Sequence, residues 1–506
     1  MRSLLLVLAL VPFFAACDSD PYVECPGAGD CVEPFDPSTV DYDGITALDY
    51  DVWVRPLLAA RDVFGLGAGN RAAYAWDRIA DDTRDQTVIP YDSSASLVVR
   101  LAREAVAEGS LDPYPNARTL EADEVRFLAR WIADGARGPQ GRPMYADADA
   151  VLYVCNQLDG RVAIVDTERR RTIRLVHFEA LGEPANAKPH HVVADPGGAV
   201  WYVSLIDGSG GGSVLKLSAS LATNPASPGY LLASERAPAG SDTFQKPGML
   251  ALDAARNRLY AARSFSASPT SDGLAWFANT STMTFEEVAT NQPVHPHAVG
   301  LSPDGSRLYT AALSSVGAAT PVFVFDTATQ DLVQRIDVPG ALAFVQVAVA
   351  PSGLVVLTAQ TDGALYVFDT NDITGQLLDP VRVETGGQPW HPVISADGQR
   401  AYVPNRTSNT VSVVDLGTRT VTQQIADEAF SQPHGSAVSR DGRWLYVSSR
   451  NLGMTGDVRY RAPVRFAGEA DDAQSNVAVI DTQTNAVVAV LPQGRWASGL
   501  ATWEAP

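Results

Sequence analysis

Cysteine, methionine and histidine are scarce in this chain of 506 residues, at four, five and seven. No Cys-x-x-Cys-His string occurs, which excludes covalent haem attachment, and no cysteine spacing suits a zinc site. The G-x-S-x-G elbow of serine hydrolases is missing, as is His-Glu-x-x-His. The glycine-rich string DGSGGGS at 207–213 lacks the Gly-Lys-Ser/Thr of a phosphate loop and reads as a hairpin tip. Beyond the first residues, no apolar run is long enough to span a bilayer. Basic residues are in deficit: 38 Lys and Arg against 58 Asp and Glu leave a formal charge of −20. Such a chain repels phosphate backbones, which argues against nucleic acid as a partner. What remains is globular in balance, 46% hydrophobic and 19% charged, and too long for one ordinary domain. Forty Gly and 33 Pro predict many short strands joined by tight turns.

The N-terminus reads as an export signal. Arg2 precedes an apolar run of 11 residues, Leu4 to Phe14, and then Ala15, Ala16 and Cys17. FAAC is similar to a lipobox, with Phe14 where Leu is usual. The expectation is a lipoprotein signal peptide over 1–16, a diacylated Cys17, and a Pro-, Gly- and Asp-rich tether over 17–45. The protein is then expected in the cell envelope, periplasm-facing or at the surface, touching membrane only through its anchor. Cys25 and Cys31, in CPGAGDC, are expected to close a small disulfide in an oxidising compartment. Cys155, inside LYVCN, reads as a buried free thiol.

Residues 46–140 carry a helical period. In TLEADEVRFLARWIADGARG, Val125, Leu128, Ala129 and Ile132 share one face, and Gly135 supplies a stop. SASLVVRLAREAVAEG places Leu97, Leu101 and Ala105 together, and VWVRPLLAARDVFG is a third candidate. From residue 146 to 506 the period becomes two, and the pattern repeats. Asp-Thr follows a Val-rich strand at Asp166, Asp326, Asp369 and Asp481, with Asp415-Leu416 as a variant. The steps from Asp326 to Asp369 and on to Asp415 are 43 and 46 residues. Tyr-centred strands begin at Leu152, Trp201, Leu259, Leu308, Ala401 and Leu445, and Val355 fills the remaining slot. A four-stranded unit of this length, repeated seven times, predicts a mainly β fold: a seven-bladed β-propeller after a small N-terminal α-helical domain. The first segment lacks an inner strand and the last, RWASGLATW, is an inner strand alone. Residues 497–503 are therefore expected to complete the first blade. The stretch 452–475 interrupts the last blade, and Arg459, Arg461 and Arg465 make it basic; it is expected to overhang a face of the propeller.

The repeats resemble the YVTN family of bacterial propellers, above all in HPHAVGLSPDGSRLYTAAL, QPHGSAVSRDGRWLYVSSRN and SNVAVIDTQTNAVVAVL. The resemblance spans about residues 150–503 and implies the fold. It leaves function open, since propellers of this kind bind haem, copper, quinone cofactors or proteins. The stretches VRPLLAARD, PYDSSASLVVRLA and NARTLEADEVRFLARWIADGA resemble the small cytochrome c domains of planctomycete proteins. Where that family has its haem motif, this chain has DVFGLGAGNRAA. The likeness implies a haem-less relic kept for packing or docking. The domain order is similar to that of dihaem nitrite reductases, but without haem c the electron route of those enzymes is lost.

Six of the seven histidines fall at one repeat position, around the proline that starts each blade: KPHHVVAD, QKPGMLALD, HPHAVGLS, QPWHPVIS and QPHGSAVS. They are His190, His191, His295, His297, His391 and His434. In a propeller this position lies at one mouth of the central channel, so imidazoles from four blades are expected to converge. Imidazole is a ligand for copper, zinc and iron. KPHHV is similar to a His-His pair of nitrous oxide reductases, whose copper-thiolate domain is absent here. The residues before the prolines form a second ring, with Lys188 and Lys246, and with Arg495 at the closing blade; Trp390 and Trp496 are expected to wall it. Two readings follow. One is a binding module for a protein partner or small anionic ligand, with no cofactor. The other is an oxidoreductase-like propeller holding copper or haem at the histidines. No carboxylate pair stands out as acid and base.

Overall fold

The computed structural model describes residues 35–81, 87–111, 114–206, 212–236, 246–264, 273–289, 296–313, 319–452, 459–470 and 474–505. The lipidation and disulfide expectations at Cys17, Cys25 and Cys31 lie outside these residues, and so does His295. Among the described residues no helix is long and apolar enough to cross a membrane.

Seven four-stranded antiparallel sheets form the propeller. Each is sandwiched between two others, so both faces of its strands must be apolar. In the strand Ala150–Asn156, Leu152 and Val154 join one apolar cluster while Val151, Tyr153 and Cys155 join another. The inner strands, one per blade, are Ala497–Glu504 in blade 1, then Pro189–Ala194, Pro247–Asp253, Pro296–Leu301, Phe344–Val349, Val393–Ile394 and Pro433–Val438. Blade 1 is composite. Its innermost strand comes from the C-terminal segment and pairs with Ala150–Asn156 in the register Val151 to Trp503 and Tyr153 to Ala501. The Asp-Thr landmark has a local cause. Asp166, Asp326 and Asp481 each accept two backbone N–H groups just beyond the strand, closing the turn. Thr327 and Thr482 hydroxyls donate back to the carbonyls of Gly305 and Gly442.

The N-terminal unit contains helices α1 (Arg55–Ala60), α2 (Trp76–Ala80), α3 (Leu97–Arg103) and α4 (Ala122–Ala133). α4 starts with a capping box between Glu121 and Glu124, and Gly135 beyond its end has φ of +102°. Glu124 is buried and accepts from Arg61 at 2.8 Å, holding the chain after α1 to α4. α3 is shorter than its sequence period predicts. It ends at Arg103, and Ala105 is not helical, because 105–111 pairs instead with the last-blade insertion: Ala467 N–H donates to Ala105, Ala107 N–H to Arg465 and Leu111 N–H to Pro463. These described residues of the insertion thus lie against the helical unit. One apolar cluster runs without a break from Tyr42, Leu57 and Trp131 to Val162, Ile173 and Trp201. The helical unit is therefore seated on blades 1 and 2. Two fully buried arginines of blade 1 line this seam: Arg171 donates to the carbonyl of Ala80 in the helical unit, and Arg174 to those of Met144 and of Leu221 in blade 2.

Candidate functional site: the histidine hub

Each propeller blade but the sixth carries the same irregularity at the start of its inner strand. Pro189 pairs with Leu205 and His191 with Ser204, so His190 is an extra residue. Pro296 and Ala298 likewise flank His297, and Phe344 and Gln346 flank Val345. In blade 7 the shift spans His434 and Gly435. A bulged residue loses its place in the ladder and its side chain is re-aimed. Here the bulges turn His190, His297 and His434 into the axis. Blade 6 differs, since its inner ladder is only Val393–Ile394, and there Trp390 and His391 both reach the hub. Hydroxyls from the second strands pin these bends to the next blade: Ser204 to Gly248 O, Thr358 to Trp390 O and Ser448 to Ser498 O, all at 2.6 Å. Glycine lets the inner strands close up. A Cβ on Gly499 would stand 2.3 Å from the carbonyl oxygen of His190, and one on Gly435 2.0 Å from that of Ser498.

Four imidazoles thus meet, all buried. His190 Nε2 lies 2.9 Å from His297 Nε2. The ring centroids of His391 and His434 are 4.5 Å apart, and His190 and His297 lie 6.0 and 6.2 Å from His391. One ring nitrogen from each of His190, His297 and His391 falls within 4.8 Å of the others. The outer nitrogens of the first pair are anchored. His190 Nδ1 is 2.7 Å from the Gln157 amide nitrogen, and His297 Nδ1–H donates to Val345 O at 2.6 Å. By contrast His391 Nε2 and both nitrogens of His434 are buried with no hydrogen-bond partner in the protein. Unsatisfied buried polar atoms cost about 1–3 kcal/mol each, so three in one cluster call for partners from outside the chain, ordered water or a ligand.

The surroundings are cationic. Arg450 is 8% exposed, its guanidinium lies 4.4 Å from the Trp496 ring, and its hydrogen-bond partner is the neutral Gln157 Oε1 at 3.3 Å. Its Nε has none. Arg406 stacks 4.3 Å over Trp390. Burial first, and then the neighbouring Arg406, hold Arg450 well below the usual guanidinium range. Burial, reinforced by Arg450 and by neighbouring histidines, drives His190, His391 and His434 well below the usual imidazole range, so the four hub rings are neutral. Beneath the hub the channel opens into a cavity of about 260 Å³, lined by His191, Gln346, His391, Ser436 and Leu500. Two larger cavities, about 410 and 480 Å³, lie on the seam with the helical unit. In the first of them Arg100, Arg161 and Arg495 are each paired with a carboxylate.

Of the sequence-predicted histidines, the structure therefore brings His190, His297, His391 and His434 to one point. His191 faces the cavity, where its Nδ1 accepts from Leu250 N–H. His177 is on the outer strand of blade 1 and lies 2.7 Å from Asp92 of the helical unit. Trp390 and Trp496 wall the hub. Arg495 lies off the ring: its guanidinium turns to Asp159 at 2.7 Å, a carboxylate it shares with Arg161. The ring position assigned to it belongs to Trp496. The residue that follows each second strand donates to the carbonyl of that position: Ile206 to Lys188, Ser264 to Lys246, Arg406 to Gln388, Arg450 to Gln432 and Gln157 to Trp496. Lys246, Gln388, Gln432 and Trp496 also share positive φ, from 47° to 63°. Lys188 and Lys246 are half-buried at the starts of blades 2 and 3. Sequence reasoning missed Gln157, Arg406 and Arg450. Their shared place, directly after the second strand, is a repeat position like that of the histidines, and aligning on it would have exposed them.

The family model described as Lactonase, 7-bladed beta-propeller, matches residues 235–460. That span holds His297, Trp390, His391, Arg406, His434 and Arg450, and it leaves out Gln157, His190 and Trp496. No curated protein matches the chain. Among solved structures, hydrazine synthase of Kuenenia stuttgartiensis is similar at 15% identity and a TM-score of 0.46, covering 59% of this chain and 89% of its own. A candidate 6-phosphogluconolactonase from Bacteroides fragilis is similar at 14% identity and a TM-score of 0.48, covering 72% of this chain and all of its own. The chain's own sheet topology, together with the family match over part of the ring, establishes a seven-bladed β-propeller.

Proposed function

We propose that the propeller is a binding module for a small anionic ligand, taken up at the channel mouth between the arginine–tryptophan stacks and the histidine hub. One observation carries this reading: Arg450 is a buried cation with no carboxylate beside it among the described residues. Even when burial lowers its affinity for the proton, a guanidinium gives up its charge far less readily than a lysine, and removing an unpaired charge from water costs several kcal/mol. A ligand carboxylate or phosphate, held in bidentate fashion, would offset that cost. The stack on Trp496 fixes the plane of the fork, and the neutral hub imidazoles supply further N–H donors. The overall charge of −20 turns away polyanions, so on this reading the cationic interior serves ligands small enough to enter the channel. On this reading the helical unit, whose likeness to a cytochrome c domain rests on sequence alone, is a packing block on blades 1 and 2. The lipid at Cys17 would hold the module in the cell envelope.

The test is calorimetric titration of the purified chain with inorganic phosphate and with small dicarboxylates. Binding that weakens at least about tenfold in Arg450→Met, the loss of one charge-assisted hydrogen-bond pair, supports the reading. Absence of binding up to the millimolar range, or equal binding by Arg450→Met, sinks it.

A further inference from the structure

We infer that His190, His297 and His391 form a three-imidazole site for one transition-metal ion, copper foremost. The metal site does not depend on the anion reading: that reading is carried by the Arg450 guanidinium, this one by the ring nitrogens of three histidines.

Three features carry it. First, a ring nitrogen of each histidine already lies within 4.8 Å of the others, and all three rings are buried. A metal at about 2.0–2.1 Å from each nitrogen needs donors about 3.3–3.6 Å apart. The Nε2–Nε2 distance of His190 and His297 would open from 2.9 Å by a few tenths of an ångström. Second, the outer nitrogens have the partners that metal-bound imidazoles require. His297 Nδ1–H donates to Val345 O, which leaves Nε2 as the bare donor atom facing the hub. His190 Nδ1 lies against the Gln157 amide nitrogen; turning that amide over would present Oε1 to Nδ1–H and free Nε2, giving up the Oε1 contact with Arg450. Third, His391 Nε2 and both nitrogens of His434 are buried without a partner, and the His434 ring stands edge-on to His391. The metal gives the first of these atoms its bond and leaves His434 beside an open coordination position.

The donor set points to the kind of ion. Three neutral imidazoles suit copper, zinc, iron and nickel rather than magnesium or calcium. Among the described residues no carboxylate or thiolate joins them in this cluster, and Arg450 and Arg406 lie nearby, so no described group in the hub compensates the ion's charge. Among divalent ions the affinity maximum at copper best withstands that handicap.

The experiment uses the purified full chain, stripped with chelator and titrated with copper(II) chloride. Bound metal is measured by equilibrium dialysis, and the coordination by electron paramagnetic resonance. The expected result is one copper per chain at micromolar affinity or tighter, with nitrogen couplings in the spectrum. His297→Ala and His391→Ala should each weaken it by at least about a hundredfold, and Gln157→Leu, which leaves all histidines in place, by about ten- to a hundredfold. Thermal unfolding and circular dichroism establish that each variant is folded. Arg450→Met separates the two proposals: it should weaken phosphate binding while leaving copper binding equal or tighter, since it removes a repelling charge. A chain that retains no copper, or a His190→Ala/His297→Ala double variant that retains as much as the native chain, overturns the site.

Discussion

Mild acid should unfold this protein, through its histidines and before its carboxylates titrate. His190, His391 and His434 are held well below the usual imidazole range by burial first, then by Arg450 or a neighbouring histidine, and His191 is pushed down to about 3, again chiefly by burial. In the unfolded chain each takes up a proton near pH 6.5. Below that pH the unfolded state binds more protons than the native state, so stability falls as pH falls. Each such histidine contributes a slope of about 1.4 kcal/mol per pH unit, fully developed from about pH 5.5 down to its native value. The four together give about 5–6 kcal/mol per unit, comparable to the whole net stability of an ordinary domain. Depressed carboxylates act later. Asp92, lowered to about 2 where it faces His177, loses its contribution only below about pH 3.8. The assay is guanidinium unfolding of metal-free, anion-free protein from about pH 7.5 to about pH 5, with the midpoint converted to free energy at constant slope. His434→Phe should make the curve shallower by one histidine's share. A midpoint that stays level across this range, or a dependence that His434→Phe leaves intact, refutes the reasoning.

The same His434→Phe substitution should raise the stability of the metal-free protein at pH 7 by about 1 kcal/mol, because it removes two buried unpaired nitrogens for an apolar ring of similar shape; a calorimetric melting temperature below that of the native chain would contradict this. Gly499→Ala should cost about 1–3 kcal/mol in chemical unfolding, since its Cβ meets the His190 carbonyl at 2.3 Å and the inner strand of blade 1 must retreat. Glu124→Ala should cost about 1–3 kcal/mol, because it strips Arg61 of its carboxylate and α4 of its capping box; loss should appear first in near-ultraviolet signals of Tyr42 and Trp131.

The architecture was legible because a propeller repeats its physics. Every blade is built from four short strands joined by tight turns, so the strand-and-turn unit recurs seven times, and Asp-Thr turns mark where four of the blades bend back. The alignment of the prolines was enough to collect the histidines. It was not enough to count them at the hub, because neighbours such as His190 and His191 point to different places. Nor did it place Arg495, which looked equivalent to the lysines until the backbone partners assigned that ring position to Trp496. The helix expected to include Ala105 stopped at Arg103 because its continuation pairs with a segment some 360 residues away, and local propensity carries no record of such a partner.

By itself, then, the order of residues determined the blade pattern, the composite first blade and the clustering of imidazoles near one mouth, since each follows from alternation and repetition along the chain. Only the tertiary structure decided which imidazoles touch. That choice is made by bulges at the blade starts, by hydroxyls bridging adjacent blades and by glycines that let inner strands approach. It also seated Arg406 and Arg450 among neutral rings, because closing the ring of blades carries whatever follows each second strand to the same mouth.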